Sequence, residues 1–471
     1  MDLSQQEVAR IVEAVVERMR TTTSGDTTGR SALPAGIFAT LDEAVAAATA
    51  AQKRIGNLEF RDKIILAMRE AGARHARELA ELAVEETGMG RVEDKVAKNT
   101  SQALRTPGPE VIHAEAISGD HGLTLIENAP WGVIASVTPS TNPAATVINN
   151  AISMVSAGNS VVFAPHPAAK RVSQRTISLL NEAVVAAGGP HNLLTAVAQP
   201  TIETAQQLFK YPGIGLLVVT GGEAVVHEAR RQTDKRLIAA GAGNPPVVVD
   251  ESADIPHAAA CIVSGASFDN NIICADEKEI IVVDSVADQL KREMAKNRAV
   301  ELDARQAEAV AQVILKEYPG PNPVINRKMV GRDATVIARE AGIQVPPDTR
   351  LLFTETDKSH PFAQIELMMP VISLIRAANA DAAIDLAIEL EHGLHHTAAM
   401  HSRNIDHLHR MSREINTSIF VKNGPCIAGL GFGGEGWTSM TISTPTGEGV
   451  TCSRTFVRLR RCVIVDHFRI V

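Results

Sequence analysis

The sequence is poor in several features that mark particular classes of protein. Aromatic residues make up only 3% of the 471 residues, which disfavours a protein that stacks nucleic-acid bases on aromatic side chains. No apolar run approaches the roughly 18 residues that a membrane-spanning helix needs. The five scattered cysteines include no CxxC pair, so neither a metal site nor a disulfide framework is indicated. We therefore expect a protein of the cytoplasm.

Charge and length narrow the class further. The net charge of −8 argues against nucleic acid or an anionic membrane as the main partner, because both repel an acidic chain. A composition of 45% hydrophobic and 21% charged residues is typical of a globular protein. The length of 471 residues exceeds one average domain. We expect two or more lobes, each with a substantial core.

The first 36 residues differ from the rest of the chain. Apolar residues recur at helical spacing over residues 1–20, and charged residues fill the other face, which predicts an amphipathic helix. These charges also exclude a signal peptide. Residues 21–36 are rich in Thr, Ser and Gly and predict a flexible linker. The apolar stripe of the helix has no core of its own, so we expect the helix to dock on a partner or to fold back, and the tether favours docking.

From residue 132 onward, short β-rich runs alternate with helical stretches. Strands are predicted over 133–137, 160–164, 193–197, 214–220, 246–250 and 279–283 and near 351 and 371. Helices are predicted within 40–115 and near 144–157, 170–187, 201–210, 223–233, 285–296 and 303–316. This alternation predicts mostly parallel sheets covered by helices, in two consecutive α/β lobes. Residues 452–465 alternate apolar and basic side chains like an exposed strand, which we expect to pair with another subunit.

Two glycine-rich segments are candidates for a phosphate site. Residues 431–436 match GxGxxG, but a proline-containing loop precedes them and poor helix-forming sequence follows, so we interpret them as a flexible loop. Residues 218–224 run from a predicted strand through Gly221 and Gly222 into a helix start, where free N–H groups and the helix dipole favour an anion. Many strand–helix turns use glycine for geometry alone. The second segment is the better candidate.

Cys274 is the best candidate for a nucleophile, although an inert buried thiol is the default for an isolated cysteine. It follows a polar Asp-Asn-Asn loop and precedes a predicted strand, where it can reach a cleft between the lobes. A second polar loop, with Asn142, follows the strand at 133–137, at the edge of the sheet where ligands bind. An Asn amide there can donate a hydrogen bond to an oxyanion on a carbonyl carbon attached to the cysteine.

The histidines cluster near residue 400 without a metal-binding pattern. His392, His395, His396 and His401 lie close together in sequence, but HExxH and carboxylates at ligand spacing are missing. A solvated or structural set is therefore favoured over a metal site.

Several separate motifs, in the same order, resemble the aldehyde dehydrogenase superfamily. They are residues 130–143, the turn 220–223, Cys274 and the segment 366–371, and the resemblance covers residues 37–471. Three further stretches, 86–90, 423–425 and 446–451, resemble the coenzyme-A-acylating propionaldehyde and acetaldehyde dehydrogenases of bacterial propanediol and ethanolamine utilisation.

This resemblance implies an α/β fold with a Rossmann-like nucleotide-binding lobe, a catalytic lobe and a β-arm that joins subunits. The implied bounds are 37–120 and 132–241 for the nucleotide lobe, 242–440 for the catalytic lobe, and 121–131 and 450–466 for the arm. The resemblance also implies a homodimer or homotetramer.

The resemblance implies roles for individual residues as well. Cys274 is expected to be the nucleophile and Asn142 the oxyanion donor, aided by the backbone N–H of Cys274. Glu366 is expected to meet the nicotinamide ribose, and the helix start at Gly221 and Gly222 to face the pyrophosphate. The full set of expected cofactor contacts is Thr138, Pro139, Ala164, His166, Pro167, Thr220, Gly221, Gly222, Gly241, Glu366 and Met368. No metal is expected.

Two departures from the hydrolytic members of the superfamily bear on the reaction. Residues 240–243 stand where those enzymes have Glu-Leu-Gly-Gly, and Ala240 cannot replace the Glu that activates water. A thiol acceptor needs less help, because a thiol with a pKa of about 8.5 supplies some thiolate at neutral pH. Residues 164–167 also lack the lysine that holds the ribose, which leaves the choice between NAD and NADP open.

We therefore expect oxidation of propionaldehyde or acetaldehyde to acyl-coenzyme A, with NAD and coenzyme A, in a ping-pong cycle through a cysteine thioester. Residues 1–20 resemble the tethered peptides that direct enzymes into bacterial microcompartments, which implies a shell or cargo protein as partner and the microcompartment lumen as location. Three alternatives remain open: a hydrolytic aldehyde dehydrogenase, a reductase of acyl phosphates, and a cargo adaptor without catalysis.

Overall fold

The computed structural model describes residues 33–471. The helix predicted for residues 1–20 and most of the linker predicted for 21–36 lie outside this range. No helix within it is long and apolar enough to cross a membrane.

The elements between residues 33 and 471 alternate much as the sequence predicts. The α-helices are α1 (Leu41–Gln52), α2 (Leu58–Arg74), α3 (Ala76–Thr87), α4 (Val92–Arg105), α5 (Pro143–Ser156), α6 (Lys170–Ala186), α7 (Ile202–Lys210), α8 (Glu223–Gln232), α9 (Ile255–Ala266), α10 (Asp284–Lys296), α11 (Ala304–Ile314), α12 (Ala334–Glu340), α13 (Pro361–Gln364), α14 (Ala380–Leu390) and α15 (Ile405–Glu414). The strands are β1 (Ile37–Phe38), β2 (Glu115–Gly119), β3 (Gly122–Pro130), β4 (Val133–Thr138), β5 (Ser160–Pro165), β6 (Leu194–Val197), β7 (Ile214–Thr220), β8 (Arg236–Ala240), β9 (Pro246–Val249), β10 (Glu279–Val283), β11 (Ala299–Glu301), β12 (Leu315–Lys316), β13 (Val324–Ile325), β14 (Leu351–Glu355), β15 (Val371–Ala377), β16 (Thr397–His401), β17 (Ile419–Lys422), β18 (Ile442–Ser443), β19 (Gly449–Val450) and β20 (Val457–Val465). Each strand predicted between 133 and 283 corresponds to an observed strand, and its first and last residues lie within one position of the observed ones.

The first sheet is parallel and has the order β1-β6-β5-β4-β7-β8. From β4 the chain adds β5 and β6 on one side and then β7 and β8 on the other. Such a reversal opens a crevice at the carboxyl ends of the two strands where it occurs, here β4 and β7. Every residue of β4 and β5 is buried, because helices cover both faces of the sheet, and both strands are rich in apolar residues for that reason.

The second sheet is also parallel, with the order β11-β14-β15-β10-β9-β16-β17. Residues 241–245 lead directly from the carboxyl end of β8 in the first sheet to the amino end of β9 in the second. Cys274 precedes β10, which pairs with β9 from Glu279 opposite Pro246. The carboxyl edge of the first sheet therefore faces the amino edge of the second sheet, and Cys274 lies between the two.

A third, antiparallel sheet has the order β2-β3-β20. Residues Val457 to Val465 of β20 pair with Pro130 to Gly122 of β3. The expectation that this tail strand pairs with another subunit is therefore wrong for this edge, because its partner belongs to the same chain. Its other edge has no partner strand among residues 33–471. The sheet also contains β2, which the expected bounds placed in the nucleotide lobe (37–120) and not in the arm.

Candidate active site

The residues expected to contact a dinucleotide lie at the carboxyl edge of the first sheet. They come from the ends of four neighbouring strands. Strand β5 contributes Ala164, His166 and Pro167, β4 contributes Thr138 and Pro139, β7 contributes Thr220, Gly221 and Gly222, and β8 contributes Gly241. Because the strands are parallel and adjacent, these segments meet at one edge, although they are up to 103 positions apart in the chain (138 to 241). The topology thus brings them together at the crevice between β4 and β7.

The start of α8 fits the pyrophosphate of a dinucleotide. Gly222 is the residue that caps the helix, and a Cβ added to it meets no atom within 4 Å. A cleft of about 360 Å³ opens beside it, lined by Glu223, Gly241 and His395 among others. The hydroxyl of Thr138 is buried and has no hydrogen-bond partner among the described residues. Open space at a helix N-terminus is a suitable place for a phosphate group, since the free N–H groups point into it.

The segment after β5 offers no cation to a ribose. His166 accepts a hydrogen bond at Nδ1 from the backbone N–H of Ala168, 3.1 Å away. Burial lowers the pKa of His166, and the nearby guanidinium of Arg327 lowers it further, so the ring is neutral at pH 7. Ala164 is the next-to-last residue of β5 and is buried. Residues 164–167 can therefore contact a nucleotide only through neutral groups.

Cys274 follows a strained stretch of backbone. Asp269, Asn270 and Asn271 have left-handed φ values of 45°, 58° and 62°. Asn and Asp tolerate this conformation better than other non-glycine residues. The side chain of Asn271 holds the turn in place, since its Nδ2 donates to the carbonyl oxygens of Ala266 and Glu277, each 2.8 Å away. The polar loop noted in the sequence thus determines where the thiol lies.

The environment of Cys274 disfavours its ionised form. The side chain is partly exposed, yet the surrounding protein and the carboxyl group of Glu366 raise the pKa of Cys274 to about 12. The ammonium of Lys278 acts in the opposite direction. It donates to the carbonyl oxygen of Asn271 at 3.0 Å, to Oδ1 of the same residue at 2.6 Å and to the carbonyl oxygen of Ile273 at 3.2 Å. Lys278 is thus a buried cation attached to the segment that carries the thiol.

Asn142 lies at the start of α5, where it caps the helix before Pro143. Its Oδ1 accepts a hydrogen bond from Nζ of Lys98, and its Nδ2 donates to the hydroxyl of Thr141 at 3.2 Å. The first turn of α5 packs on the segment of the nucleophile, since Ala145 shares a buried apolar cluster with Ile273 and Ala275, and Cys274 packs against that cluster. The structure therefore places the first turn of α5, which Asn142 precedes, against the segment that carries Cys274.

Glu366 and Met368 differ in their positions. Glu366 lies beside Cys274 and accepts a hydrogen bond from the backbone N–H of Gly243, and burial raises the pKa of its carboxyl group to about 7. Met368 has a left-handed φ of 53°, and its side chain packs partly buried against the core of the catalytic lobe. Glu366 is thus part of the site, whereas Met368 can offer only the exposed part of its side chain.

The segment 240–243 passes close behind the nucleophile. Ala240 ends β8 with 3% of its surface exposed, and its carbonyl oxygen accepts a hydrogen bond from Gly221 at 3.1 Å. At Gly243 an added Cβ would lie 2.7 Å from the carbonyl oxygen of Cys274 and 2.8 Å from Cγ of His396. Only glycine fits at this position, and the segment provides no carboxylate to the site.

His396, which the sequence placed in a solvated or structural set of histidines, is a neighbour of the site. Burial lowers its pKa to about 3, so the ring is neutral. Its Nδ1 lies 2.8 Å from the hydroxyl of Thr397, and its Nε2 is buried without a partner in the described part of the chain. His401 is buried as well, whereas His392 and His395 are exposed. No group of three or more His, Cys, Asp or Glu side chains within residues 33–471 is arranged to hold a metal ion.

The GxGxxG segment is a loop, as the sequence predicts, and is far from a dinucleotide turn in its structure. It follows the short 3-10 helix Cys426–Leu430 and leads into irregular backbone. The guanidinium of Arg105 donates to the carbonyl oxygens of Gly431, Gly434 and Gly436. The loop is therefore attached to the end of α4.

Comparison with known proteins defines the class to which this fold and site belong. The model of the aldehyde dehydrogenase family matches residues 15–440. The chain belongs to the aldehyde dehydrogenase family. The predicted family and the predicted α/β fold are thereby confirmed.

Within that family the chain is similar to acylating members. It is 66% identical to the acetylating acetaldehyde dehydrogenase EutE of Salmonella typhimurium, over 100% of both chains. A propionaldehyde dehydrogenase from the fucose utilisation microcompartment of Clostridium phytofermentans matches with a TM-score of 0.90 and 43% identity, over 93% of this chain and 100% of that one. The Rhodopseudomonas palustris propionaldehyde dehydrogenase, solved with coenzyme A and an acylated cysteine, matches with a TM-score of 0.88 and 44% identity, over 92% and 98%.

Proposed function

We propose that this protein oxidises a short aliphatic aldehyde, acetaldehyde before propionaldehyde, to its coenzyme A thioester with NAD. The observation that carries the proposal is a partly exposed cysteine beside a segment in which Ala240 takes the place of a water-activating carboxylate. The full-length identity with an acetylating acetaldehyde dehydrogenase supports acetaldehyde. The relative solved with coenzyme A and an acylated cysteine supports the thioester route.

The residues of the chain perform the covalent chemistry. The sulfur of Cys274 attacks the aldehyde carbon, and the resulting oxyanion is held by Nδ2 of Asn142 and the backbone N–H of Cys274. The nicotinamide ring, when bound, supplies the acceptor for the hydride that leaves this carbon. The oxyanion then collapses to a carbonyl, and the acyl group stays on Cys274 as a thioester. Its exchange with the thiol of coenzyme A frees Cys274 and forms the product.

The residues that would hold the cofactor are those at the carboxyl edge of the first sheet. The N–H groups at the start of α8 suit the pyrophosphate, and Glu366 suits a ribose hydroxyl, because its carboxylate can accept a hydrogen bond. The remaining expected contacts, from Thr138, Ala164 and Gly241, line the same edge. The absence of a charged group from 164–167 leaves room for both NAD and NADP.

A comparison of products tests the proposed function. Aldehydes of two to five carbons are supplied with each nicotinamide cofactor, and acyl-coenzyme A, free acid and reduced cofactor are measured in the same reaction. We expect one acyl-coenzyme A per reduced cofactor, with the highest kcat/KM for acetaldehyde. Free acid as the main product would point to the hydrolytic alternative, acyl phosphate formation in the presence of phosphate would point to the reductase, and no turnover would point to an adaptor.

The proposal extends to the organisation of the chain. We assign residues 37–120 and 132–241 to the nucleotide lobe, 242–440 to the catalytic lobe, and 121–131 with 450–466 to an arm that joins two or four subunits. Residues 1–20 would bind a shell or cargo protein of a bacterial microcompartment. The enzyme would then act in the lumen of that microcompartment. Fluorescent protein fused to residues 1–36 should enter microcompartments in cells that form them. Diffuse fluorescence in such cells would contradict the targeting role.

A further inference from the structure

Two buried lysines lie behind the residue proposed to hold the oxyanion. Lys95 and Lys98 occupy the same face of α4 with only 3% and 1% of their surface exposed. Lysine is almost never fully buried unless it is paired, because an ammonium loses its hydration on burial. Two buried lysines one helical turn apart therefore need a partner of opposite charge, and their burial at this place needs a structural or functional explanation.

Both ammonium groups converge on one carboxylate. Nζ of Lys95 donates to Oδ2 of Asp269 at 3.0 Å and to the carbonyl oxygen of Thr141 at 3.1 Å. Nζ of Lys98 donates to the same Oδ2 and to Oδ1 of Asn142. Asp269 is fully buried and lies five positions before Cys274. One carboxylate thus ties α4 to the loop of Asn142 and to the segment of the nucleophile.

The contact between Lys98 and Asn142 fixes the orientation of the amide. An ammonium group has three donors and no acceptor, so it can bind only the oxygen of the amide. The nitrogen is then held on the other side, where one of its two hydrogens meets Thr141 and the second has no partner among residues 33–471. If the amide flipped, its oxygen would face the developing oxyanion, and two negative centres would repel each other.

We propose that Lys98 is a positioning residue of the oxyanion site, which fixes the Asn142 amide with its nitrogen toward the substrate carbonyl. The inference rests on the proposed function of Asn142. Asp269 pairs with Lys98 and so holds its ammonium beside Asn142, and Asp269 itself belongs to the segment that carries Cys274. The charge of Lys98 also adds to the positive potential at the oxyanion, since the amide it binds is polarised by the ammonium.

A double-mutant cycle separates this role from a merely structural one. The variants are Lys98→Met, Asn142→Ala and the pair, and the measurement is kcat for acyl-coenzyme A formation. We expect a loss of roughly 100- to 1,000-fold for Asn142→Ala, as for other oxyanion donors, and a loss of roughly 10- to 100-fold for Lys98→Met. In the double variant Lys98→Met should add almost nothing, because the amide on which it acts is gone.

Two further measurements guard against simple loss of folding. Alkylation of Cys274 by iodoacetamide should keep its wild-type rate in Lys98→Met, because the thiol segment is still held by Lys278 and Asn271. Lys95→Met is the matched control, since it removes the other buried ammonium and leaves Lys98 to pair with Asp269. We expect its kcat to stay within about threefold of the wild type, as for contacts outside the reacting groups.

Distinct outcomes overturn distinct claims. If Lys98→Met lowers kcat by the same factor with and without Asn142, or leaves kcat unchanged, the positioning role is wrong and the proposed function stands. If Lys98→Met and Lys95→Met lower both kcat and alkylation alike, the pair is structural and the positioning role is again wrong. If Asn142→Ala keeps full activity, the oxyanion assignment fails together with the inference. A wild-type enzyme that forms no acyl-coenzyme A contradicts the proposed function itself.

Discussion

At the scale of single residues, the proposed function makes Ala240 the position that sets the fate of the acyl group. We predict that Ala240→Glu raises the yield of free acid relative to acyl-coenzyme A by at least about tenfold, because a positioned general base commonly contributes about 100-fold or more. The product ratio after complete oxidation of a fixed amount of aldehyde measures the effect. Ala240→Gln is the control of equal size without a base, and an equal rise in that variant would contradict the explanation.

Lys278 is the cation that opposes the high pKa of the nucleophile. We predict that Lys278→Met raises the pKa of Cys274 further and slows its alkylation by iodoacetamide severalfold at pH 8, because the ammonium that favours the thiolate is removed. Lys278→Arg keeps the charge and should react more nearly like the wild type. Unfolding temperatures of both variants are compared first, since the ammonium also holds the loop at Asn271. Equal alkylation rates in Met and Arg variants of equal stability would refute the electrostatic role.

Glu366 makes the reactivity of the thiol depend on pH in a specific way. Its carboxyl group has a pKa of about 7 and raises the pKa of Cys274. Above pH 7 the carboxylate is ionised and opposes the thiolate, whereas below pH 7 it is neutral and has little effect. We predict that Glu366→Gln speeds alkylation of Cys274 above about pH 7 and leaves the rate unchanged below it. A rate ratio of variant to wild type that does not vary from pH 5.5 to 9 would contradict this assignment.

At the scale of elements, a substitution at the start of α8 is expected to change cofactor binding without changing the stability of the fold. Gly222 has φ −63° and open space beside its α-carbon, so a side chain there costs the fold little. We predict that Gly222→Glu raises KM for NAD by roughly tenfold or more, because a carboxylate at the helix start repels the pyrophosphate. Gly222→Ala is the control with little added bulk. The unfolding temperature should stay the same in both, and a large drop in it would show that the glycine serves the fold instead.

The strands illustrate what periodicity in the sequence can detect. Strands β4, β5, β7 and β10 are short runs of Val and Ile buried on both faces, and such runs are evident in the sequence. Strands β8 and β16 were not predicted, because both contain two alanines and alanine does not favour strands. Their neighbours in the sheet, rather than their own residues, make them strands. The sheet order that creates the crevice was likewise invisible, since pairing joins segments distant in sequence.

At the scale of the whole molecule, the arm leaves an apolar surface without a partner in the described chain. On β20, Leu459, Val463 and Val465 lie on one face, with 71%, 57% and 63% of their surfaces exposed. Three exposed apolar side chains on one strand face, interrupted only by Arg461, favour an interface between subunits. If β20 joins subunits as proposed, Leu459→Asp combined with Val463→Asp should lower the mass of the protein in sedimentation experiments. An unchanged mass for a folded double variant would place the interface elsewhere.

The sequence by itself determined the chemistry that is available. A cysteine after a polar loop, an amide at a helix start, a glycine turn after a buried strand and an alanine in place of a base can all be identified from local order, since each depends on residues close together in the chain. The family resemblance followed from the order of these motifs.

Only the tertiary structure decided how these groups act on one another. Lys98, Asp269 and Asn142 come from three separate segments, and no spacing in the sequence relates them. The same holds for Lys278 and Glu366, whose opposite effects on the pKa of Cys274 depend on burial and distance. Electrostatic effects fall with separation in space and grow as water is excluded, and both quantities exist only once the two lobes have packed around the thiol.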